Sequence, residues 1–249
     1  MGDPLRLYGL NAIVTNAGSG IGEAVARTLV KHGAKVLAVD SANSGVEQHF
    51  SAVKGVEGFS ESYTDAGRLP ALIEAAVDKL GGIDILVTDF ALPTDGPIES
   101  DGDAFERLIN QRAELILSMA RGALPHLKKS PAGRIINIGF LRSVFAAGGV
   151  AASDKAEINL AAITRALAAE TGEFGITSNY VQPGAVMTPT SREVFRKNKD
   201  LRDYCIANSA ARRLGEPVDI AKVVLFLASD DAVFVSGSGI AVDGGRTDV

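Results

Sequence analysis

Short apolar runs rich in Val and Ile alternate along the chain with longer segments whose apolar residues return every three or four positions. The short runs do not alternate strictly between apolar and polar residues, which is typical of parallel strands covered on both faces. They predict strands at 11–15, 35–39, 56–59, 83–88, 134–138, 177–181 and 239–242.

The longer segments predict helices, because their apolar residues fall on one side of a helix. The two longest lie near 103–129 and 153–172. Strands that alternate with helices indicate an α/β fold, here a Rossmann-type, doubly wound, seven-stranded parallel sheet with helices on both faces. Since no linker, repeat or low-complexity segment interrupts the pattern, we expect one domain over residues 1–249. A loop-rich insert at 184–217 is expected to cover the site.

Composition and charge narrow the class of protein. Of 249 residues, 46% are hydrophobic and 22% are charged, and the net charge is −5. This balance argues against a nucleic-acid or anionic-membrane surface, which needs clustered Lys and Arg. A single cysteine, Cys205, fits a reducing compartment, and no apolar run reaches membrane-spanning length. We therefore expect a soluble cytoplasmic protein.

A glycine-rich turn follows the first predicted strand, in the stretch TNAGSGIGEA at 15–24. Gly18, Gly20, Ile21 and Gly22 open the next helix, where backbone N–H groups can approach a pyrophosphate. Asp40 ends the second predicted strand, 18 residues after Gly22. A carboxylate there accepts hydrogen bonds from ribose hydroxyls and repels a 2′-phosphate, so it favours NAD over NADP. The alternative is a tight turn without a ligand, with Asp40 starting another turn.

Three longer stretches resemble the short-chain dehydrogenase/reductase family. They are GRIINI at 133–138, NYVQPGAVMTP at 179–189 and RRLGEPVDIAKVVLFLASDDAVFVSGSGIAVDGG at 212–245. With the glycine turn, the resemblance covers nearly the whole chain. It implies one Rossmann domain, NAD-dependent oxidoreductase chemistry and a tetramer built on the two long helices.

The resemblance also locates the family's catalytic positions. Lys155 and Asn110 match its Lys and Asn, but Ala151 stands at the position of the tyrosine that serves as general acid/base. The substrate-orienting serine falls at Gly139 or Phe140. Neither side chain can transfer a proton. The resemblance therefore implies a site from which only Asn110 and Lys155 remain.

The cofactor positions depart from the family as well. Asn16 replaces a glycine of the turn, where its tolerance of left-handed backbone preserves the shape. Asp89 and Phe90 replace residues of an Asn-Asn-Ala-Gly stretch that floors the adenosine pocket, and Ser62 replaces an adenine-binding Asp. Thr188 is retained and is expected to meet the nicotinamide carboxamide. NAD is the implied cofactor, in a weakened site.

Other residues give no convincing substitute chemistry. Tyr204, in the insert, is the one tyrosine that could replace the missing acid, whereas Ser143 and Ser153 lack a base. We predict no metal site, since three scattered histidines and Cys205 have no partner at ligand spacing. The histidines are His32, His49 and His126.

Three functions remain open. The first is a catalytically inactive subunit that assembles, as a heterotetramer, with an active homologous NAD-dependent dehydrogenase of secondary alcohols such as a hydroxyacyl-CoA. The second is an active NAD-dependent oxidoreductase with a rearranged site, in a homotetramer. The third is a ligand-binding or regulatory module that uses the empty cleft.

Overall fold

One parallel sheet organises the chain. The computed structural model describes residues 7–90, 103–141, 145 and 150–248. Its seven strands lie in the order β3-β2-β1-β4-β5-β6-β7, and all neighbouring strands are parallel. They are Asn11–Thr15 (β1), Lys35–Asp40 (β2), Val56–Ser60 (β3), Ile85–Thr88 (β4), Arg134–Ile138 (β5), Thr177–Pro183 (β6) and Gly239–Val242 (β7). The predicted fold class is confirmed.

Helices follow most strands, as the spacing of apolar residues predicts. They are Gly20–Lys31 (α1), Val46–Phe50 (α2), Leu69–Leu80 (α3), Asp103–Leu127 (α4), Val150–Thr171 (α5), Pro189–Lys197 (α6), Lys199–Ala207 (α7) and Pro217–Ala228 (α8). The two longest helices, α4 and α5, coincide with the two longest predicted ones. Helices α6 and α7 lie within 184–217.

The sheet separates two apolar cores. Successive strand residues point to opposite faces, so Ile13 packs in one core and Val14 in the other. One core contains side chains of α1 and α8, and the second contains those of α3, α4 and α5. Both faces of the central strands are therefore buried, which explains their uninterrupted apolar sequences.

Because all seven strands are parallel, their carboxyl ends lie at the same end of the sheet. Strands β1 and β4 are neighbours, and the chain runs outward from them in opposite directions. In doubly wound sheets a ligand binds in the crevice at this reversal of strand order. The residues at the ends of β1, β2, β4 and β5 therefore form the region in which a site is expected.

Candidate functional site

A turn of small residues joins β1 to α1. Asn16 has a left-handed backbone with φ of 54°, and Gly20 has φ of 61°. A Cβ atom at Gly22 would overlap the carbonyl oxygen of Asn16, so only glycine lets the helix begin this close to the strand. The predicted strand–turn–helix is confirmed, and Asn16 supplies a left-handed position as its side chain permits.

Asp40 contacts this turn directly. It ends β2 with 7% of its surface exposed. Its Oδ2 accepts a hydrogen bond of 2.7 Å from the backbone N–H of Gly18, and its Oδ1 accepts one of 2.7 Å from that of Ser41. A Cβ atom at Gly18 would lie 2.7 Å from the same Oδ2. The structure thus joins two residues that the sequence analysis assigned to one site.

An open cavity of about 560 Å³ lies beside Asp40, within the range of roughly 300–1,000 Å³ usual for small-molecule sites. Its walls come from the glycine turn, the end of β2 and the segment after β3. They carry several hydroxyl groups, one amide, one guanidinium and two carboxylates, and the Arg68 guanidinium forms an ion pair of 2.9 Å with one of these carboxylates, that of Glu61. The residues that contribute these groups include Asn16, Ser41, Ser44, Ser60, Ser62 and Arg68. We call this space the Asp40 cavity.

Two stacked aromatic rings lie under the turn. Phe90, just after β4, has 2% of its surface exposed, and its ring centre lies 6.2 Å from that of Tyr63. The Tyr63 hydroxyl donates a hydrogen bond of 3.2 Å to Oδ1 of Asn16. Burial, followed by the charges of Asp40 and Asp89, raises the pKa of Tyr63 above its ordinary value. Tyr63 therefore remains neutral and serves the packing of the turn.

Arg112 is a buried cation that the sequence analysis did not assign. It lies on α4, donates a hydrogen bond of 3.0 Å to the Phe90 carbonyl oxygen, and donates another to that of Ile138. Its Nη2 is 3.8 Å from Oδ1 of Asp89, and its Cζ is 4.2 Å from the ring centre of Phe140. One guanidinium thus connects the ends of β4 and β5.

Asp89 links Arg112 to the glycine turn. Its Oδ2 accepts a hydrogen bond of 3.0 Å from Nδ2 of Asn16, and its backbone N–H donates one of 2.9 Å to the Thr15 hydroxyl. Burial raises the pKa of the Asp89 carboxyl, and the Arg112 charge opposes this rise. A sequence signal for the pair existed: Arg112 falls three residues after Ile109 and three before Leu115, on the apolar side of α4.

An apolar cluster lies next to Arg112, between the first turns of α4 and α5. Phe140, at a predicted serine position, packs edge-on against Phe145 with ring centres 6.0 Å apart. One pocket that Arg112 and Phe140 line together with residues of α4 and α5 has a volume of about 10 Å³, which holds at most one water molecule. The buried members are Phe105, Ile109, Phe145, Ala152 and Ala156. We call Arg112 and these residues the Arg112 cluster.

The two predicted catalytic remnants are exposed. The Lys155 ammonium forms an ion pair with Glu106 of α4 and lies 5.4 Å from the ring centre of Phe105. The Lys155 side chain is 54% exposed, and Asn110 is also exposed. Ala151, at the predicted tyrosine position, is exposed and offers no polar side-chain atom. Of the two serines considered, Ser153 is buried and Ser143 lies outside the described residues.

Gly139, the other predicted serine position, has no room for a larger residue. We expect Gly139→Ser to lower the free energy of unfolding by about 1–3 kcal/mol, because its Cβ would overlap Oε1 of Gln182. Gln182 is held in place, since its Nε2 donates to the carbonyl oxygens of Phe140 at 2.9 Å and Pro183 at 3.1 Å. Urea unfolding measures the effect. Adding Gln182→Ala should recover part of the loss, and an unchanged midpoint in the single variant would contradict this contact.

Thr188 and Tyr204 are both bound to other residues. The Thr188 hydroxyl accepts a hydrogen bond of 3.1 Å from the Ser191 backbone and caps α6. A Cβ atom at Gly20 would lie 3.3 Å from Cβ of Thr188, so the insert packs directly on the glycine turn. The Tyr204 hydroxyl donates a hydrogen bond of 2.8 Å to Oδ2 of Asp248.

Two kinds of feature are absent from the described ranges. None of their helices is both long and apolar enough to cross a membrane. No three His, Cys, Asp or Glu side chains among the described residues are grouped closely enough to hold a metal ion.

Comparisons with known proteins agree with the fold. A family profile described as enoyl-(acyl carrier protein) reductase matches residues 16–247. The 3-oxoacyl-(acyl-carrier-protein) reductase FabG of Vibrio harveyi is 32% identical over 244 residues, which cover 97% of this chain and 98% of that protein. FabG of Escherichia coli is 30% identical over 244 residues, with the same two shares. The chain belongs to the short-chain dehydrogenase/reductase family of oxidoreductases.

Proposed function

We propose that this chain is a non-catalytic subunit that assembles with a catalytically complete member of the same family. The observation that carries the proposal is the chemistry at the positions assigned by resemblance. Ala151 replaces the tyrosine, Gly139 and Phe140 occupy the serine position, and Lys155 is paired with Glu106. A positioned acid/base group contributes roughly 10²- to 10⁴-fold to a rate. Its loss together with the orienting serine removes both proton transfer and carbonyl polarisation.

The tyrosines that carry a described hydrogen bond do not supply a substitute acid. Tyr63 donates to Asn16, Tyr180 to Glu157 and Tyr204 to Asp248, each at 2.8–3.2 Å. Burial, with the nearby charge of Glu157, raises the pKa of Tyr180 to about 12. An acid/base group works best when its pKa lies near the operating pH. These hydroxyls are therefore structural in this proposal.

In this proposal the assembly surface includes two exposed apolar positions. Ile158 on α5 is 69% exposed, and Phe234, just before β7, is fully exposed. Large apolar side chains in such positions mark interaction surfaces when they belong to larger patches. Since the relatives are named as 3-oxoacyl-(acyl-carrier-protein) reductases, the partner in this proposal interconverts a 3-oxoacyl and a 3-hydroxyacyl thioester, on a carrier protein or on CoA. The nicotinamide cofactor acts in that partner.

The isolated chain is expected to show no hydride transfer. Purified protein would be mixed with acetoacetyl-CoA and either NADH or NADPH, and absorbance at the nicotinamide band followed. The variant Ala151→Tyr with Phe140→Ser should also remain inactive, because the buried Arg112 guanidinium stays bound to the Phe90 and Ile138 carbonyl oxygens. Turnover by the parent chain within 100-fold of a complete family member would refute the loss of chemistry and favour an active, rearranged site.

The assembly is tested separately. Native mass spectrometry of the complex isolated from its own cells should show this chain with a second family member that has the tyrosine and serine. A homo-oligomer alone, with no second chain, would contradict the subunit role while leaving the loss of chemistry standing.

A further inference from the structure

We infer that residues 246–248 form a strap that holds the insert at 184–217 in place, and that the ion pair between Arg246 and Asp154 of α5 fastens this strap. The device goes beyond the subunit role, because it lies within one chain and needs neither a partner nor a ligand. It rests on three sets of contacts, which are a reversal of the chain after β7, a pairing with the insert, and an anchor on α5.

Two glycines turn the chain back after β7. Gly244 and Gly245 have φ of 73° and 80°, in the left-handed region that favours glycine. A Cβ atom at Gly244 would lie 2.6 Å from Oγ of Ser209, and one at Gly245 would lie 3.1 Å from Cβ of Ala210. The chain therefore leaves the sheet in direct contact with the segment that follows α7.

The strap pairs with this segment of the insert through its backbone. Ser209 and Arg246 form an antiparallel bridge. Beside it, the N–H group of Thr247 donates a hydrogen bond of 3.0 Å to the Asn208 carbonyl oxygen. The strap and the end of α7 are thus joined as a short antiparallel pair, so the strap and the insert are expected to move together.

Charged side chains continue this connection from the insert to α5. The Tyr204 hydroxyl of α7 donates a hydrogen bond of 2.8 Å to Oδ2 of Asp248. The other oxygen of Asp248 accepts one of 2.7 Å from Nε of Arg246. Nη2 of Arg246 in turn donates one of 2.9 Å to Oδ1 of Asp154, near the start of α5. Four side chains therefore form a continuous series of hydrogen bonds from α7 to α5.

Burial of the strap side chains makes these bonds stronger than ordinary surface ion pairs. The Arg246 side chain is 16% exposed and that of Asp248 is 9% exposed, so water competes little for their bonds. The Asp154 side chain is 46% exposed. The anchor on α5 is therefore the most solvated part of the series, and it is the point at which the strap is expected to open first.

Hydrogen–deuterium exchange of the full chain tests the strap, with mass spectrometry of peptides from α6 and α7. Asp154→Ala removes the anchor and leaves every residue of the strap and the insert unchanged. We expect exchange in α6 and α7 to become about three- to tenfold faster, as for the loss of one charge-assisted hydrogen bond at a half-exposed site. Exchange in α1 and α3 should stay as in the parent chain. Ending the chain at Gly245 should accelerate α6 and α7 at least as much.

Asp78→Ala is the matched control, because it makes the same substitution at an exposed position on α3. It should leave the exchange of α6 and α7 unchanged, and thermal melting would confirm that the variants are folded. Unchanged exchange of α6 and α7 in folded Asp154→Ala would overturn the inference, because the ion pair would then not fasten the insert. Equal acceleration in α1 and α3 would overturn it as well, because the pair would then stabilise the whole fold.

Discussion

Replacing Arg112 by Met is expected to lower the free energy of unfolding by about 3–5 kcal/mol at neutral pH, the usual cost of breaking a buried ion pair from one side. The substitution removes the cation 3.8 Å from Asp89 and two hydrogen bonds to carbonyl oxygens at the ends of β4 and β5. The carboxylate then has only uncharged hydrogen-bond donors, such as Nδ2 of Asn16.

The loss in Arg112→Met should depend on pH. Burial raises the pKa of Asp89 in the folded protein, so its protonated form is favoured there relative to the unfolded chain. Without the cation, folding takes up a proton above the ordinary carboxyl pKa of about 4, and stability falls as the pH rises from there toward the raised pKa. The deficit is therefore smallest in acid and largest at neutral pH.

Urea unfolding at several pH values measures this effect. Arg121→Met, at an exposed position on the same helix, is the matched control and should change stability by less than about 0.5 kcal/mol. Adding Asp89→Asn to Arg112→Met should restore part of the loss and flatten the pH dependence. An Arg112→Met deficit that does not vary with pH would show that the lost hydrogen bonds dominate over the charge.

Gly22→Ala is expected to cost at least about 3 kcal/mol, at the upper end for overpacking. The new Cβ would overlap the Asn16 carbonyl oxygen, and backbone atoms cannot rotate away as the end of a side chain can. Thermal and urea unfolding report the loss. Gly172→Ala is the control, because no heavy atom lies within 4 Å of its Cβ position. Equal stability of the two variants would mean that α1 can move away from β1 at little cost.

The strands and the two longest helices could be predicted because the local pattern of apolar residues identifies them. Apolar runs gave the strands at 11–15 and 134–138 with the bounds found in the structure, since burial on both faces demands uninterrupted apolar residues. The contact between Asp40 and the glycine turn could also be predicted, because the carboxyl ends of the parallel neighbours β1 and β2 lie side by side. Such features depend on spacing along the chain.

The partners of charged side chains were not predictable in the same way. The resemblance places Asp89 on the floor of the adenosine pocket, but the structure pairs it with Arg112, which is 23 residues away on another element. The sequence suggests Asp154 or another nearby carboxylate as the partner of Lys155, and the structure pairs Lys155 with Glu106 of α4. These contacts depend on the relative positions of helices and sheet, which the periodicity of one helix does not define. The catalytic roles of Asn110 and Lys155 and the cofactor role of Thr188 stay predictions.

The pairing of Asp89 with Arg112 restricts how this sequence can change. Each residue alone leaves the other as an uncompensated buried charge, so a single substitution at either position passes through a less stable protein. A lineage that gained both charges can lose them only together, or after another change has raised its stability.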